Sequence, residues 1–171
     1  VAIDEELAKK FTAYNKKIFF YPKAFAKEHS VETEIPFLQS VLRDFKIVPI
    51  VFGDQTPGNI EILGKALTDI LKDRPDVLLV ISTDMSHYYN AAKAKKLDAT
   101  AIEKIKLLDA NGLMKSVSSK ESELCGFGGV LAGLAYAEAI RADNVEILKY
   151  SDSGDITGDK NSVVGYFSDI F

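Results

Sequence analysis

Apolar residues recur along this chain with two distinct periods, and the alternation between them predicts its elements. In "VETEIPFLQSVLRDF" the apolar positions Val31, Ile35, Leu38, Leu42 and Phe45 follow spacings of four, three, four and three, one face of a helix. Ser30 can cap that helix, which places Pro36 past its first turn; a start near Thr33 would make Pro36 harmless, and both starts stay open. The β-branched run "IVPIVFG" then predicts a strand, and Thr56 with Pro57 supplies a cap followed by proline at the first helical position. Ile60, Leu63, Leu67, Ile70 and Leu71 form the stripe of the helix that follows, and Pro75 limits it before the second apolar strand, "DVLLVIS". A strand, helix, strand unit whose strands are apolar on both faces predicts parallel pairing with a right-handed crossover and helices packed on the sheet.

Further along, Leu97, Ile102, Ile105 and Leu108 predict a helix from about Ala91, and Leu113, Met114 and Val117 a short one after Asp109. "CGFGGVLAGLAYAEAI" reads as a close-packed helix in which Gly128, Gly129, Ala132, Gly133 and Ala137 leave little side chain between it and its neighbours. "NVEILKY" and "SVVGYFS" are the last predicted strands, joined by the polar loop "SDSGDITGDKN". No repeat and no linker interrupts the pattern, so residues 1–171 are expected to form one α/β domain.

Composition narrows the function. Acids number 25 against 21 bases, for a formal charge of −4, and charges of both signs are spread through the chain. With a pI near 5.3 and no basic stripe, nucleic acid is not an expected partner. The apolar runs are strand-sized and "VAIDEELAKK" lacks the order of a signal peptide, so no membrane is expected. A lone cysteine, Cys125, excludes an internal disulfide and fits a reducing compartment, for which the cytoplasm is the expected location. The sequence begins without methionine inside a charged helical pattern, which is the expectation for part of a longer protein.

Four places could carry chemistry. "STDMSHY" follows an apolar strand, where ligands of parallel sheets bind, and puts Asp84 three residues from His87. A carboxylate near an imidazole suits a general base or metal ligand; the alternative is that Asp84 caps a helix and His87 bonds a carbonyl. "EHSVETE" sets His29 beside Glu28, Glu32 and Glu34, as half of a metal site or as a capped helix start. Cys125, in "ELCGFGG" at a predicted helix start, is either a reactive or coordinating thiol or a small buried residue. A closed zinc site of His29, His87 and Cys125 has no CxxC or HExxH pattern behind it, and the glycines lack phosphate-loop spacing. Asp152, Asp155 and Asp159 lack the EF-hand order, so a hydrogen-bonded turn is expected there in preference to a calcium site.

Taken in order, "EHSVETEIPFLQ", "STDMSH", "LCGFG" and "YSDSGDITGDKNSVVGYF" closely resemble the MEMO family, similar to the B component of AmmeMemoRadiSam systems. That family is related to the extradiol ring-cleaving dioxygenases of the protocatechuate 4,5-dioxygenase, LigB-like type. The resemblance implies a three-layer sandwich with a central, mainly parallel sheet flanked by helices. At one sheet end it implies a cleft where two histidines and a cysteine replace the iron triad of two histidines and a glutamate. Cys125 would be the metal ligand for iron or copper, Asp84 and His87 the catalytic pair, and His29 a further cleft residue that is not a ligand. Both family metal histidines belong to an N-terminal segment that nothing here resembles. The chain would therefore be the C-terminal part of the family domain and by itself a poor metal binder. Implied partners are a small phenolic or carbonyl substrate or a peptide, the missing N-terminal segment or a second copy, and a functional link to AMMECR1-type and radical SAM proteins. Two functions follow: a metal-dependent dioxygenase-like enzyme, or a non-enzymatic signalling or scaffold module that uses the cleft for protein or peptide. A Cys-His hydrolase using Cys125 with His29 or His87 is a third.

Overall fold

The computed structural model describes residues 1–171 and contains helices packed around two small sheets. In chain order these are β1 (Ala2–Ile3), α1 (Glu5–Tyr14), a 3₁₀ turn (Pro22–Phe25), α2 (Ser30–Val41), β2 (Lys46–Ile47), α3 (Pro57–Leu71), β3 (His87–Tyr89), α4 (Ala91–Lys106), α5 (Ala110–Ser118), α6 (Phe127–Ala139), β4 (Glu146–Asp152), α7 (Gly154–Thr157) and β5 (Val163–Ile170). No helix is long and apolar enough to cross a membrane.

Local chemistry sets most helix starts. Asp4, Thr56, Asn90 and Asp109 each accept a backbone N–H two or three residues into α1, α3, α4 and α5, satisfying donors the helix cannot. Pro57 stands at the first position of α3, where its missing N–H costs nothing. The start of α2 is settled differently from either expectation. Ser30 is its first residue, and the Glu28 carboxylate caps it by accepting from the amides of His29 at 2.8 Å and Ser30 at 2.7 Å. Pro36 therefore lies inside the helix.

The core has two parts. Leu7, Phe11, Leu63, Ala66, Leu67, Leu71 and Ala132 join α1, α3 and α6, while Ile60, Met85, Ile105, Leu113, Leu124 and Leu131 lead the other. α6 approaches α3 closely because Gly64 faces Ala132 and Ala135, leaving a space in which an added Cβ would touch Ala135 at 3.2 Å.

Parallel pairing is confined to β1 and β2, two residues each. The larger sheet is antiparallel, in the order β3-β5-β4. Of the predicted strands, the two final ones form β4 and β5. A mainly parallel central sheet is not seen. The run 47–53 pairs only at its start, and 76–82 joins no ladder. Burial along 77–81 nevertheless alternates with period two. Val77 and Leu79 pack on the α1–α3 core and Ile81 on the other, while Leu78 and Val80 are 69% and 45% exposed. The segment has one covered face, and no part of these 171 residues pairs with it or lies over the other. α2 has no buried residue: its stripe residues Val31, Ile35 and Leu38 are half-buried, and Phe37 and Val41, off that stripe, are exposed.

Candidate functional site

The loop 82–87 and the segment 123–126 meet where two buried anchors hold them. Met85 is wholly buried and Leu124 nearly so; burying each contributes about 1.5–3 kcal/mol, while Asp84 and Glu123 beside them stay half-buried and Cys125 exposed. Backbone bonds tie the loop to β5: the Met85 amide donates to the Gly165 carbonyl and the Gly165 amide to that of Ser86, both at 3.0 Å. From α4, the buried Asp98 carboxylate accepts the Ser86 amide at 3.0 Å and the Tyr150 hydroxyl at 2.8 Å. Gly165 is required beneath it, because an added Cβ would collide with the Asp98 carboxylate.

On this base Asp84 touches both other candidates. Its Oδ2 lies 3.3 Å from His87 Nε2, and its amide donates to Cys125 Sγ at 3.2 Å, while the Cys125 amide returns a bond to the Asp84 carbonyl at 3.1 Å. Asp84 does not cap a helix, since α4 is capped by Asn90, and His87 faces carboxylates, not a carbonyl. Glu123 completes its surroundings. One oxygen lies 3.7 Å from His87 Nδ1 and accepts the His87 amide at 3.3 Å, and the other accepts the Tyr89 hydroxyl at 3.2 Å. Cys125 is exposed, so its reading as a small buried residue is set aside. Thr83 Oγ1 lies 3.6 Å from the sulfur and accepts the Gly126 amide at 2.8 Å. Gln55 brackets the same turn, donating to the Cys125 carbonyl at 2.8 Å and accepting from the Gly128 amide at 2.6 Å. These loop side chains do what a capping residue would do for α6, whose N-cap is Gly126.

A bulge aims His87. Pairing of β3 with β5 shifts register between His87 and Tyr89, and Tyr88 between them has φ 63°. A left-handed aromatic residue is costly, and bulges beside sites serve to redirect a side chain. The Tyr88 ring is 78% exposed and stands 5.6 Å from that of His87. Tyr166 lies on the same side: burial first, then the charge of Asp84 and the nearby Tyr88, pushes its phenol above the usual range.

His29 is placed elsewhere. Its Nδ1 meets Glu32 at 3.1 Å on an exposed surface, and it touches none of the other three. Glu28, held below the usual carboxylate range by the Ser30 amide, serves as the cap already described. α2 reaches the loop through Glu34, which accepts the Ser82 hydroxyl at 3.2 Å. In the loop 151–161 the place of a cation is taken by Lys160, whose ammonium bonds Asp152 at 2.8 Å and Asp155 at 2.6 Å. Glu123, Thr83, Gln55, Tyr88 and Asp98 were not singled out from the sequence. For Glu123 the signal was its place two residues before Cys125.

No group of three or more His, Cys, Asp or Glu residues is arranged to hold a metal ion. Near Cys125 Sγ the neighbours are an amide and a hydroxyl, and His87 Nε2 faces Asp84. Asp84, His87 and Cys125 are thus not arranged as a three-ligand set in this structure. What they provide is an imidazole between two carboxylates, fit for proton transfer, beside an exposed thiol.

Residues 1–170 match the family model of the Memo-like protein. A MEMO1 family protein of Saccharolobus islandicus (strain Y.G.57.14 / Yellowstone #1) is 40% identical over 171 residues, an alignment covering 98% of this chain and 60% of the relative. A MEMO1 family protein of Saccharolobus solfataricus is 39% identical with the same coverage. One of Thermotoga petrophila is 40% identical over 144 residues, 84% of this chain and 50% of its own length. The chain thus spans about 60% of the length of the Saccharolobus relatives.

Proposed function

The chain belongs to the Memo-like protein family, and from that premise we propose that Asp84, His87 and Cys125 are its share of a dioxygenase-like metal cleft. In this reading His87 moves a proton to or from a bound phenolic or carbonyl compound and Asp84 orients its ring. Cys125 would supply one soft donor to iron or copper, and the two imidazoles would have to come from outside these 171 residues. The observation that carries it is the double engagement of Asp84, whose carboxylate faces His87 at 3.3 Å while its amide holds Cys125 Sγ at 3.2 Å. Proton transfer and ligation need such neighbours, and a solvated loop does not. The same kinship supports a LigB-like fold for the longer protein, with partner strands for 47–53 and 76–82 supplied from outside this chain, and a reducing, cytoplasmic setting suits a free, exposed thiol.

The test compares iron and copper affinity of the 171-residue chain, a protein of the relatives' full length, and its Cys125→Ser variant. Stoichiometric binding only by the full-length wild type, with affinity down by about tenfold or more in Cys125→Ser, is expected. Equal affinity in Cys125→Ser would overturn the ligand assignment.

A second reading, a non-enzymatic module that holds a protein or peptide partner, is favoured by one feature: Phe19, Phe20, Phe37 and Val41 are 65%, 81%, 73% and 75% exposed. Normal metal uptake with no oxygen consumption across phenolic compounds would favour it over the enzyme.

A further inference from the structure

We propose that the cavity between α4 and the α5–α6 connection is a binding site for a small, doubly charged anion, either a phosphate ester or a dicarboxylate. Lys93, Lys96, Leu97 and Thr100 of α4, with Lys120 and Glu121, line a space of about 610 Å³, a size in the range of small-molecule sites. The α4 positions follow spacings of three, one and three, so they share one helix face.

Three ammoniums and one carboxylate leave two positive charges unbalanced, in a chain whose own net charge is −4. Five of the 21 basic side chains are held by acidic neighbours: Lys9 by Glu5, Lys10 by Glu6, Lys65 by Glu61, Arg74 by Asp76, and Lys160 by Asp152 and Asp155. Lys93, Lys96 and Lys120 form no ion pair, even with Glu121 beside them. Lys93 instead rests its ammonium 3.9 Å from the centre of the Tyr89 ring, an exposed contact that contributes only about 0.5–1 kcal/mol and that an anion would displace. Each ammonium offers three donors on a flexible stem, so three of them can converge on phosphate or carboxylate oxygens. An extended polyanion such as nucleic acid would need a basic stripe and a high pI, whereas this chain has a pI near 5.3. None of the lining residues belongs to the Asp84 cleft, so the site stands or falls independently of the function proposed there.

The test is calorimetric titration of the chain with inorganic pyrophosphate and, separately, malonate at low ionic strength. Wild type, the double variant Lys96→Gln/Lys120→Gln, and a control, Lys104→Gln/Lys106→Gln, on the same helix outside the cavity, are compared. Lys96, Lys106 and Lys120 are exposed and Lys104 is half-buried, and thermal melts verify that the variants stay folded. Saturable one-to-one binding is expected, weakened about tenfold or more by the cavity pair, unchanged by the control pair, and falling with added salt. Pyrophosphate alone would assign a phosphate ester, malonate alone a dicarboxylate, and both the dianion in general. No saturable binding of either, or equal loss in both double variants, would overturn the site.

Discussion

Replacing Asp98 by alanine should be among the most damaging single changes to this chain. The side chain is wholly buried, and its two oxygens accept from the Ser86 amide and the Tyr150 hydroxyl. A hydrogen bond to a charged acceptor contributes about 1.5–3 kcal/mol, and a donor stranded in the core costs about 1–3 kcal/mol. Ser86 Oγ is already buried without a partner, so no nearby protein acceptor is on hand to take the Ser86 amide. Counting two stranded donors, Asp98→Ala should cost about 3–5 kcal/mol, a large share of the roughly 5–15 kcal/mol that stabilises a typical domain. Asp98→Asn retains one acceptor and turns an NH₂ toward the other donor, for about 1–3 kcal/mol. Tyr150→Phe removes one bond and should cost about 1 kcal/mol.

Burial first, then the hydrogen bond and charge of Asp98, pushes the Tyr150 phenol far above its ordinary range. A raised value means the fold favours the protonated phenol. That contribution is complete below the unfolded value of about 10 and is lost as pH rises through the folded one. Urea unfolding of wild type, the single variants and Asp98→Ala/Tyr150→Phe gives the costs and their coupling, and Tyr150→Phe should flatten the alkaline limb of the stability profile. A cost below about 1 kcal/mol for Asp98→Ala, or strictly additive single costs, would refute the role assigned to this carboxylate.

Tyr88→Gly should raise stability by about 1 kcal/mol by relieving the left-handed backbone at φ 63°, which corresponds to a Tm gain of about 2–4 °C; a loss in the thermal melt would mean the exposed ring is held by more than its backbone. Lys160→Met should weaken the fold at neutral pH, because the Lys160 ammonium, the Asp152 amide and the Ser151 hydroxyl hold the Asp155 carboxyl well below its usual range. A depressed carboxyl contributes stability above its unfolded value of about 3.9 and loses it as pH falls, so wild-type and variant melting curves should converge on acidification; a constant gap would refute this. The unpaired, exposed face of Leu78 and Val80 should make the 171-residue chain self-associate with rising concentration, read by light scattering, and Leu78→Lys/Val80→Glu should abolish this while changing stability by only about 0.5 kcal/mol; association that persists in the variant, or none in the wild type, would refute the role of this face.

How far these features could be read from the sequence depended on the range of the forces that make them. Thr56 with Pro57 marked the start of α3 correctly because a cap and a proline act over three residues, and β4 with β5 were visible because each finds its partner within the same stretch of chain. The run 76–82 carries an equally clear apolar signal, yet it forms no ladder here, since pairing needs neighbours that the run itself cannot specify. The site divided in the same way. The spacing of Asp84 and His87 pointed to a shared cleft, and the structure brings them together. Cys125, 41 positions from Asp84, was linked to them only by resemblance, and His29 stayed with its sequence neighbour Glu32.

Asp98 shows where the pattern could have been taken further. In the lysine-rich α4 it reads as one more solvated charge, but Ala94, Asp98, Ala101 and Ile105, at spacings of four, three and four, are the buried residues of that helix. An acid in register with a core stripe requires buried donors, and here they are the loop amide that aims the Asp84–His87 pair and a phenol from β4. On the adjoining face Lys93, Lys96 and Thr100 line the cavity. One helix therefore supports the proposed cleft with its inner side and supplies most of the proposed anion site with its outer side. The two sides differ in what a substitution should do: a change at Asp98 acts through the fold and reaches both sites, whereas changes at Lys96 and Lys120 leave the core untouched and act on the anion alone.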